Sequence, residues 1–393
     1  MSLLFRGARV VNPADASSLE SGCVRIRGDR IVDVALELAP IAGERVLEAG
    51  GRVLMPGFVD AHTHALWAGD RWTDFERVLR GETYAQIART GGGILSTVRA
   101  VRAASVEQLA SSLKMRLGFM LREGTTTMEV KSGYGLDAPN ELKMLRAIDI
   151  AARDFRGTVV KTALLGHAID PEIPNFVEYT IEETLPSIHD EFPGIAVDAF
   201  CEASAWSLPD CRRLLQRAAE LGHPLRLHVD QFTRLGGLAL ASELGLRSAD
   251  HLEASTEADL TALAQLGTFG VVLPATAFHL GTPYAQASHF LRAGGRLVLA
   301  SNLNPGSAPC SSMPLVVSLA ARHTGISMDQ ALRAVTSTAA ELLGFSDRGY
   351  IAPGGRADLI LLRHRNERQL VHEFGGDPVE CVVAGGRVVR DLD

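Results

Sequence analysis

Apolar and polar residues alternate in two different rhythms along this chain. Near the start, LLFRGARVVN, GCVRIRGDRIVDVA and ERVLEAGGRVLMPG are short apolar runs broken by Gly, Asn and Asp, the pattern of β-strands joined by turns. The far end has the same texture in GGRADLILLR and DPVECVVAGGRVVRD. Between them, strand-like runs (GTVVKTALLGHA, GIAVDAFCE, PLRLHVD, LRSADHLE, TFGVVLP and GRLVLASN) alternate with stretches such as LPDCRRLLQRAAELG, GGLALASELG and EADLTALAQLG. The latter place apolar residues near i, i+3, i+4 and i+7, a helical spacing. Alternating strands and helices make βα units and a parallel sheet. Six or more such units favour a closed barrel. The open doubly wound sheet is the competing arrangement, but no GxGxxG follows the first strand. The chain therefore reads as an α/β protein: a (β/α)₈ TIM-type barrel over 57–349, with a small β-sandwich domain composed of 1–56 and 350–393. Chain ends often lie close together, which makes a domain shared by both ends easy to build.

Composition narrows the function classes. The 393 residues are 46% hydrophobic and 22% charged, as in an ordinary globular protein with a sizeable core. A net charge of −7 argues against a constitutive nucleic-acid or anionic-membrane surface. No apolar run approaches the roughly 18 residues of a membrane span, and Arg6 and Arg9 interrupt any signal-peptide core. Five scattered cysteines without a CxxC pair fit a reducing cytoplasm. The expectation is a cytoplasmic protein with a small-molecule substrate and neither nucleic-acid nor membrane partners.

The sharpest local signal is FVDAHTHALWAGDR at 58–71. Residues i and i+2 of a strand share a side, so His62 and His64 face one point at a strand end. In a TIM barrel that end is where catalytic groups gather. His167, His228 and His251 close three further strand-like runs. One such histidine is more often structural; several at different strand ends suggest a metal centre, in which three imidazoles and one oxygen leave a position open for water. The remaining histidines (His189, His223, His279, His289, His323, His364 and His372) lack this placement and read as structural or surface residues, His279 being the least clear-cut.

PGFVDAHTH, the two-ended sandwich and the closing GGRADLILL resemble the amidohydrolase superfamily. Within it, HTHALWAGDR, TGGGILSTVRAVRAAS, EGTTTMEVKSGYGLD, LGHAIDPE, ADHLEAS and NPGSAPC are similar to the imidazolonepropionases, through nearly the whole chain. The resemblance implies hydrolytic opening of 4-imidazolone-5-propanoate to N-formimino-L-glutamate, a step of histidine degradation. It implies one divalent metal, zinc or iron, on His62, His64 and His228, with residue 302 as a further ligand. His251 would position or deprotonate the attacking water. Arg71 and Tyr134 would meet the propionate. His167, Gln231, Asn304, Gly306 and Ser307 would hold the ring and the developing product, His167 also stabilising the oxyanion. A planar Arg fork suits a carboxylate, and Gly133, Gly135 and Gly306 would let backbone approach a ligand. Family members carry either Glu or Gln at the position of Gln231. Barrel enzymes of this kind are often homodimers.

One position departs from the family. Where the pattern places an Asp, two residues before NPG, this chain has Asn302. An amide carries no charge and accepts no proton, and loss of a positioned base costs about 10²–10⁴ in rate. The expectation is an impaired enzyme. Two other readings share the fold. A deaminase of an aminated heterocycle would use the same histidines without needing SGYGL or Arg71, and an inactive ligand-binding homologue would keep the pocket and lack the base.

Overall fold

The computed structural model describes residues 2–82 and 84–392. In chain order, β1 (Ser2–Asn12), β2 (Ser17–Arg27), β3 (Arg30–Ala35), β4 (Arg45–Glu48) and β5 (Val53–Pro56) precede the barrel. The barrel strands are β6 (Phe58–Asp60), β7 (Thr125–Lys131), β8 (Thr158–Gly166), β9 (Ala196–Cys201), β10 (Leu225–Val229), β11 (Ser248–His251), β12 (Phe269–Val272) and β13 (Arg296–Leu299). The chain then returns through β14 (Leu359–Leu362), β15 (Val379–Ala384) and β16 (Arg387–Arg390).

Strands β6 to β13 lie side by side in sequence order, every neighbouring pair parallel. The two edges meet just beyond the ends of β13 and β6. There the Asn302 amide donates to the His62 carbonyl at 3.0 Å, and the His64 amide donates to the Leu303 carbonyl at 2.9 Å. This seam brings two of the expected metal-binding segments against each other. Helices cover the outside, several of them through one apolar face. The Leu208–Glu220 helix buries Cys211, Leu214, Leu215 and Ala218, and Ser207 caps it by accepting from the Asp210 amide. A capping box of Thr256 and Asp259 starts the Glu257–Gln265 helix, as its sequence pattern requires.

The second sheet runs β16-β15-β14-β5-β1-β2-β3, with β4 also paired to β1. Antiparallel pairing of β14 with β5, Leu361 opposite Leu54, joins the two ends of the chain. Leu3, Phe5, Val24, Ile26, Leu359 and Leu361 form its separate apolar core. The architecture is thus a TIM-type barrel with a small β-sandwich made from both chain ends. No helix among the described residues is long and apolar enough to cross a membrane.

Strand β7 is the barrel strand that the hydrophobic pattern does not pick out. Its sequence, TTTMEVK, carries only two apolar residues, yet all seven residues are buried. Parallel barrel strands normally read as continuous apolar runs. This one is polar because it fills the barrel interior beneath the histidines.

Candidate active site

The barrel's C-terminal mouth collects five histidines. His62 and His64 lie just past β6 in extended chain held on both sides: the Lys131 amide donates to the Thr63 carbonyl at 2.9 Å, opposite the Asn302 seam. His228 stands in β10, His251 ends β11 and His167 follows β8. All five are buried. Ring centroids of His62 and His228 are 4.5 Å apart, and those of His64 and His167 are 4.9 Å apart and stacked. His251 lies 5.4 Å from His228 and 5.9 Å from His62.

Hydrogen bonds fix the tautomers. His62 Nδ1 is 2.5 Å from Asp250 Oδ2, and His228 Nδ1 is 3.1 Å from Asp198 Oδ1. A carboxylate only accepts, so both rings carry their proton on Nδ1 and offer Nε2 as a lone pair. His62 Nε2 is buried without a partner, and His228 Nε2 sits 3.3 Å from His64 Nε2. Ligand atoms of His62, His64 and His228 lie within 4.8 Å of one another. Burial holds His62 and His64 well below the ordinary imidazole pKa, Lys131 and His167 respectively adding to it. His228 is also lowered by burial, against the pull of Asp198. Neutral imidazoles with convergent nitrogens are what a divalent metal requires, so the residues present fit the group.

Asn302 lies beside His62 on the seam between the barrel edges. Its Nδ2 donates to Thr276 Oγ1 at 2.8 Å, which leaves Oδ1 as a buried oxygen without a partner. Its φ of +54° lies in the left-handed region that Asn tolerates better than most residues.

The expected substrate residues gather around this cluster, with details the sequence does not show. Tyr134 is buried, its ring 5.0 Å from His167 and 6.1 Å from His64. Arg71 caps the Trp72–Leu79 helix, and its Nε donates to Asp74 Oδ2 at 2.5 Å. Asp74 Oδ2 also accepts from the Gly93 amide at 2.9 Å, tying Arg71 to the glycine-rich loop. A Cβ on Gly306 would lie 3.3 Å from Arg71 Nη1, so NPGS and Arg71 share one wall. Asn304 is occupied with its own turn: Oδ1 accepts from the Gly306 and Ser307 amides at 2.8 and 2.7 Å, and Nδ2 donates to the Asn302 carbonyl at 2.7 Å. Gln231 follows β10 by two residues and is partly exposed.

Two assignments change in character. Gly133 and Gly135 approach protein rather than a ligand. At φ +109°, a Cβ on Gly133 would meet His167 Nδ1 and the Leu164 carbonyl at 3.0 Å, and one on Gly135 would meet the Asn140–Glu141 backbone at 2.5 Å. Buried Glu141 gathers this loop by accepting from the Gly133, Gly135 and Leu136 amides. His167 Nδ1 lies 2.9 Å from the Gly133 carbonyl, which can only accept. Its proton is therefore on Nδ1, and Nε2 is an acceptor. Burial lowers its pKa to about 3, so the ring is neutral and unsuited to donating to an oxyanion. Of the histidines read as structural, His279 stacks on Phe75 at 4.9 Å, and His189 pairs with His223.

Sequence pattern alone misses the layer under the histidines. Lys131 Nζ bridges Glu129 Oε1 at 2.7 Å and Asp198 Oδ2 at 2.9 Å. Arg226 bridges Glu129 Oε1 at 3.1 Å and Asp250 Oδ2 at 2.6 Å. All are buried. Burial alone pushes the Asp198 carboxyl up, but His228 and Lys131 together hold it well below the usual range. Asp60, bound to Ser301 through its amide and hydroxyl, is pushed up to about 7 by burial. The available signal was a charged residue inside an apolar strand: Asp198 in IAVDAF and Arg226 in LRLHV.

Comparison with known proteins decides the family. The Amidohydrolase family matches residues 53–389. Imidazolonepropionase from Herpetosiphon aurantiacus is 40% identical over 392 residues, covering 96% of this chain and 92% of that protein. This chain belongs to the imidazolonepropionase family. Within that family, imidazolonepropionase from Pseudomonas putida is 38% identical over 401 residues, with both chains covered completely. Among solved structures, a triazine hydrolase variant superposes with a TM-score of 0.77 at 19% identity, over 99% of this chain and 95% of the other. That likeness speaks for the fold alone. The imidazolonepropionases are hydrolases of cyclic amide C–N bonds, the reaction class into which the histidine-lined mouth falls.

Proposed function

We propose that this chain binds 4-imidazolone-5-propanoate and opens its ring by hydrolysis to N-formimino-L-glutamate, slowly because of Asn302. The observation that carries the reading is the buried triad of His62, His64 and His228, with ring nitrogens within 4.8 Å of one another beside a wall that holds a cation. The relatives named above share this activity by name. His62, His64 and His228 would hold zinc or iron, with Asn302 as a further ligand, and such a metal supplies Lewis acidity toward water and a ring carbonyl.

The chain's own residues do the rest. Arg71, steadied through Nε by Asp74, presents its Nη groups beside Gly306 to the propionate, and Tyr134 closes the same end. His167 accepts a ring N–H at Nε2, a role that suits its neutral Nδ1–H tautomer. Gln231 and Ser307 contact the ring and the developing product, while Asn304 shapes the NPGS turn. His251 takes the proton from the attacking water: Glu253 lies 3.3 Å from its Nδ1, which leaves Nε2 free to accept. Asn302 cannot share that task, so a single base remains. The working protein is a cytoplasmic homodimer with the domain division at residues 57 and 349.

Selectivity for the carboxylate arm tests the assignment. Imidazole propionate should bind the metal-loaded protein, and imidazole without the arm about ten- to a hundredfold more weakly, the worth of one charge-assisted hydrogen bond of about 1.5–3 kcal/mol. Arg71→Met should erase that difference in a titration calorimeter. Equal affinity of the two ligands for the unaltered protein would move the reading toward a deaminase.

A further inference from the structure

Glu129 is hydrogen-bonded to no histidine among the described residues, yet it links the two carboxylates that orient His62 and His228. One of its oxygens, Oε1, accepts from Lys131 Nζ at 2.7 Å and from Arg226 Nη1 at 3.1 Å. The other accepts from the Thr63 amide at 3.1 Å, between His62 and His64, while the Glu129 carbonyl accepts from Thr63 Oγ1 at 2.6 Å. Two arms leave this hub. Through Lys131 it reaches Asp198 and the Nδ1–H of His228; through Arg226 it reaches Asp250 and the Nδ1–H of His62. Charges alternate at each step, and each group is buried.

The geometry points to Glu129 as the positioning residue that couples the two arms, holding His62 and His228 together as metal-ready Nδ1–H tautomers before any metal arrives. The inference rests on the reading that these histidines hold a metal. Its physical basis is that buried charges keep their places only while their partners do. Lys131 and Arg226 both carry positive charge and both point at Glu129 Oε1. Without the carboxylate they repel each other, and each drags its own aspartate away from a histidine. A third contact, at Thr63, ties the HTH segment to the same hub. Three independent lines of support for the ligand set thus pass through one side chain.

Glu129→Gln keeps size and shape and removes the charge. Second-layer partners of metal ligands are worth about 10–100-fold in affinity, and loss of the hub should weaken zinc binding by that factor. The measurement is competition with a chelator on the full-length protein, first stripped of metal. Glu44→Gln is the control: it breaks another ion pair, part-buried, with Arg25 at 2.9 Å in the sandwich, and should leave zinc affinity within about twofold. A second readout needs no variant. Nitrogen-15 spectra of the metal-free wild-type protein should show both His62 and His228 already as single Nδ1–H tautomers. Wild-type zinc affinity retained in Glu129→Gln would overturn the inference, as would mixed tautomers in the metal-free wild type. Failure of the wild-type protein itself to bind zinc would instead overturn the metal reading on which it rests.

Discussion

The sandwich and the barrel mouth are equally well buried and are built from opposite materials. In the sandwich, Leu3, Phe5, Ile26 and Leu361 are at most 3% exposed and meet only other apolar side chains in their cluster. At the mouth, Glu129, Lys131, Asp198 and Asp250 are wholly buried as charges, with five histidines above them. The first region gains stability from apolar area removed from water. The second gains little, because desolvation of each charge offsets much of its attraction to a partner. What it gains instead is orientation: imidazoles held in one tautomer and pointed at one place. The contrast predicts that damage to one region shows up as lost stability, and damage to the other as lost metal binding.

The largest effect should come from removing ligands. His62→Ala combined with His64→Ala is expected to abolish zinc or iron binding, measured by elemental analysis after dialysis, with the far-ultraviolet circular dichroism of the barrel retained. Unchanged metal content would remove the triad from the account. Phe5→Ala supplies the opposite case. A large-to-small change at a wholly buried apolar site costs about 3–5 kcal/mol, seen as a lower urea midpoint, while zinc affinity of the folded protein should not change. If Phe5→Ala altered zinc affinity, the two regions would not be separable.

Acid should produce a milder form of the same contrast. His167 titrates near 3 in the folded chain against an ordinary 6.5, and His62, His64 and His228 are depressed in the same direction. A base with a depressed folded-state pKa favours the unfolded chain once that chain is protonated. The metal-free protein should therefore lose stability as pH falls below about 6.5, continuing toward the folded-state values. Replacing His167 with Asn should flatten part of that slope. A slope unchanged by the substitution would show that His167 is not buried as a neutral ring.

How much of this was legible in the sequence follows from the same contrast. Period-two apolar runs at both ends marked the sandwich strands, because their burial is hydrophobic. Barrel strands such as LRLHV and GVV were visible for the same reason. Strand β7 was not, because Thr125, Thr126, Thr127, Glu129 and Lys131 look like a solvated segment until their neighbours are known. HTH was readable from spacing alone. The family resemblance pointed to Arg71, Tyr134 and Asn302, but not to Asp74 holding Arg71 or Glu141 gathering the Tyr134 loop, since those contacts join distant turns. Nor could it show that His167 donates to the Gly133 carbonyl, a bond set by the left-handed turn at Gly133.

Asn302 is the one position at the site that departs from the family pattern. Its Oδ1 is buried without a partner, and its backbone amide is bonded to the His62 carbonyl, so an aspartate there would add a negative ligand and a proton acceptor with almost no change in volume. The decisive measurement is the rate of 4-imidazolone-5-propanoate consumption by the zinc-loaded Asn302→Asp protein beside the unaltered one. The expected result is a rise of about two to four powers of ten, with little change in affinity for the substrate's propionate arm. An Asn302→Asp protein that holds its zinc and still leaves the ring intact would contradict it.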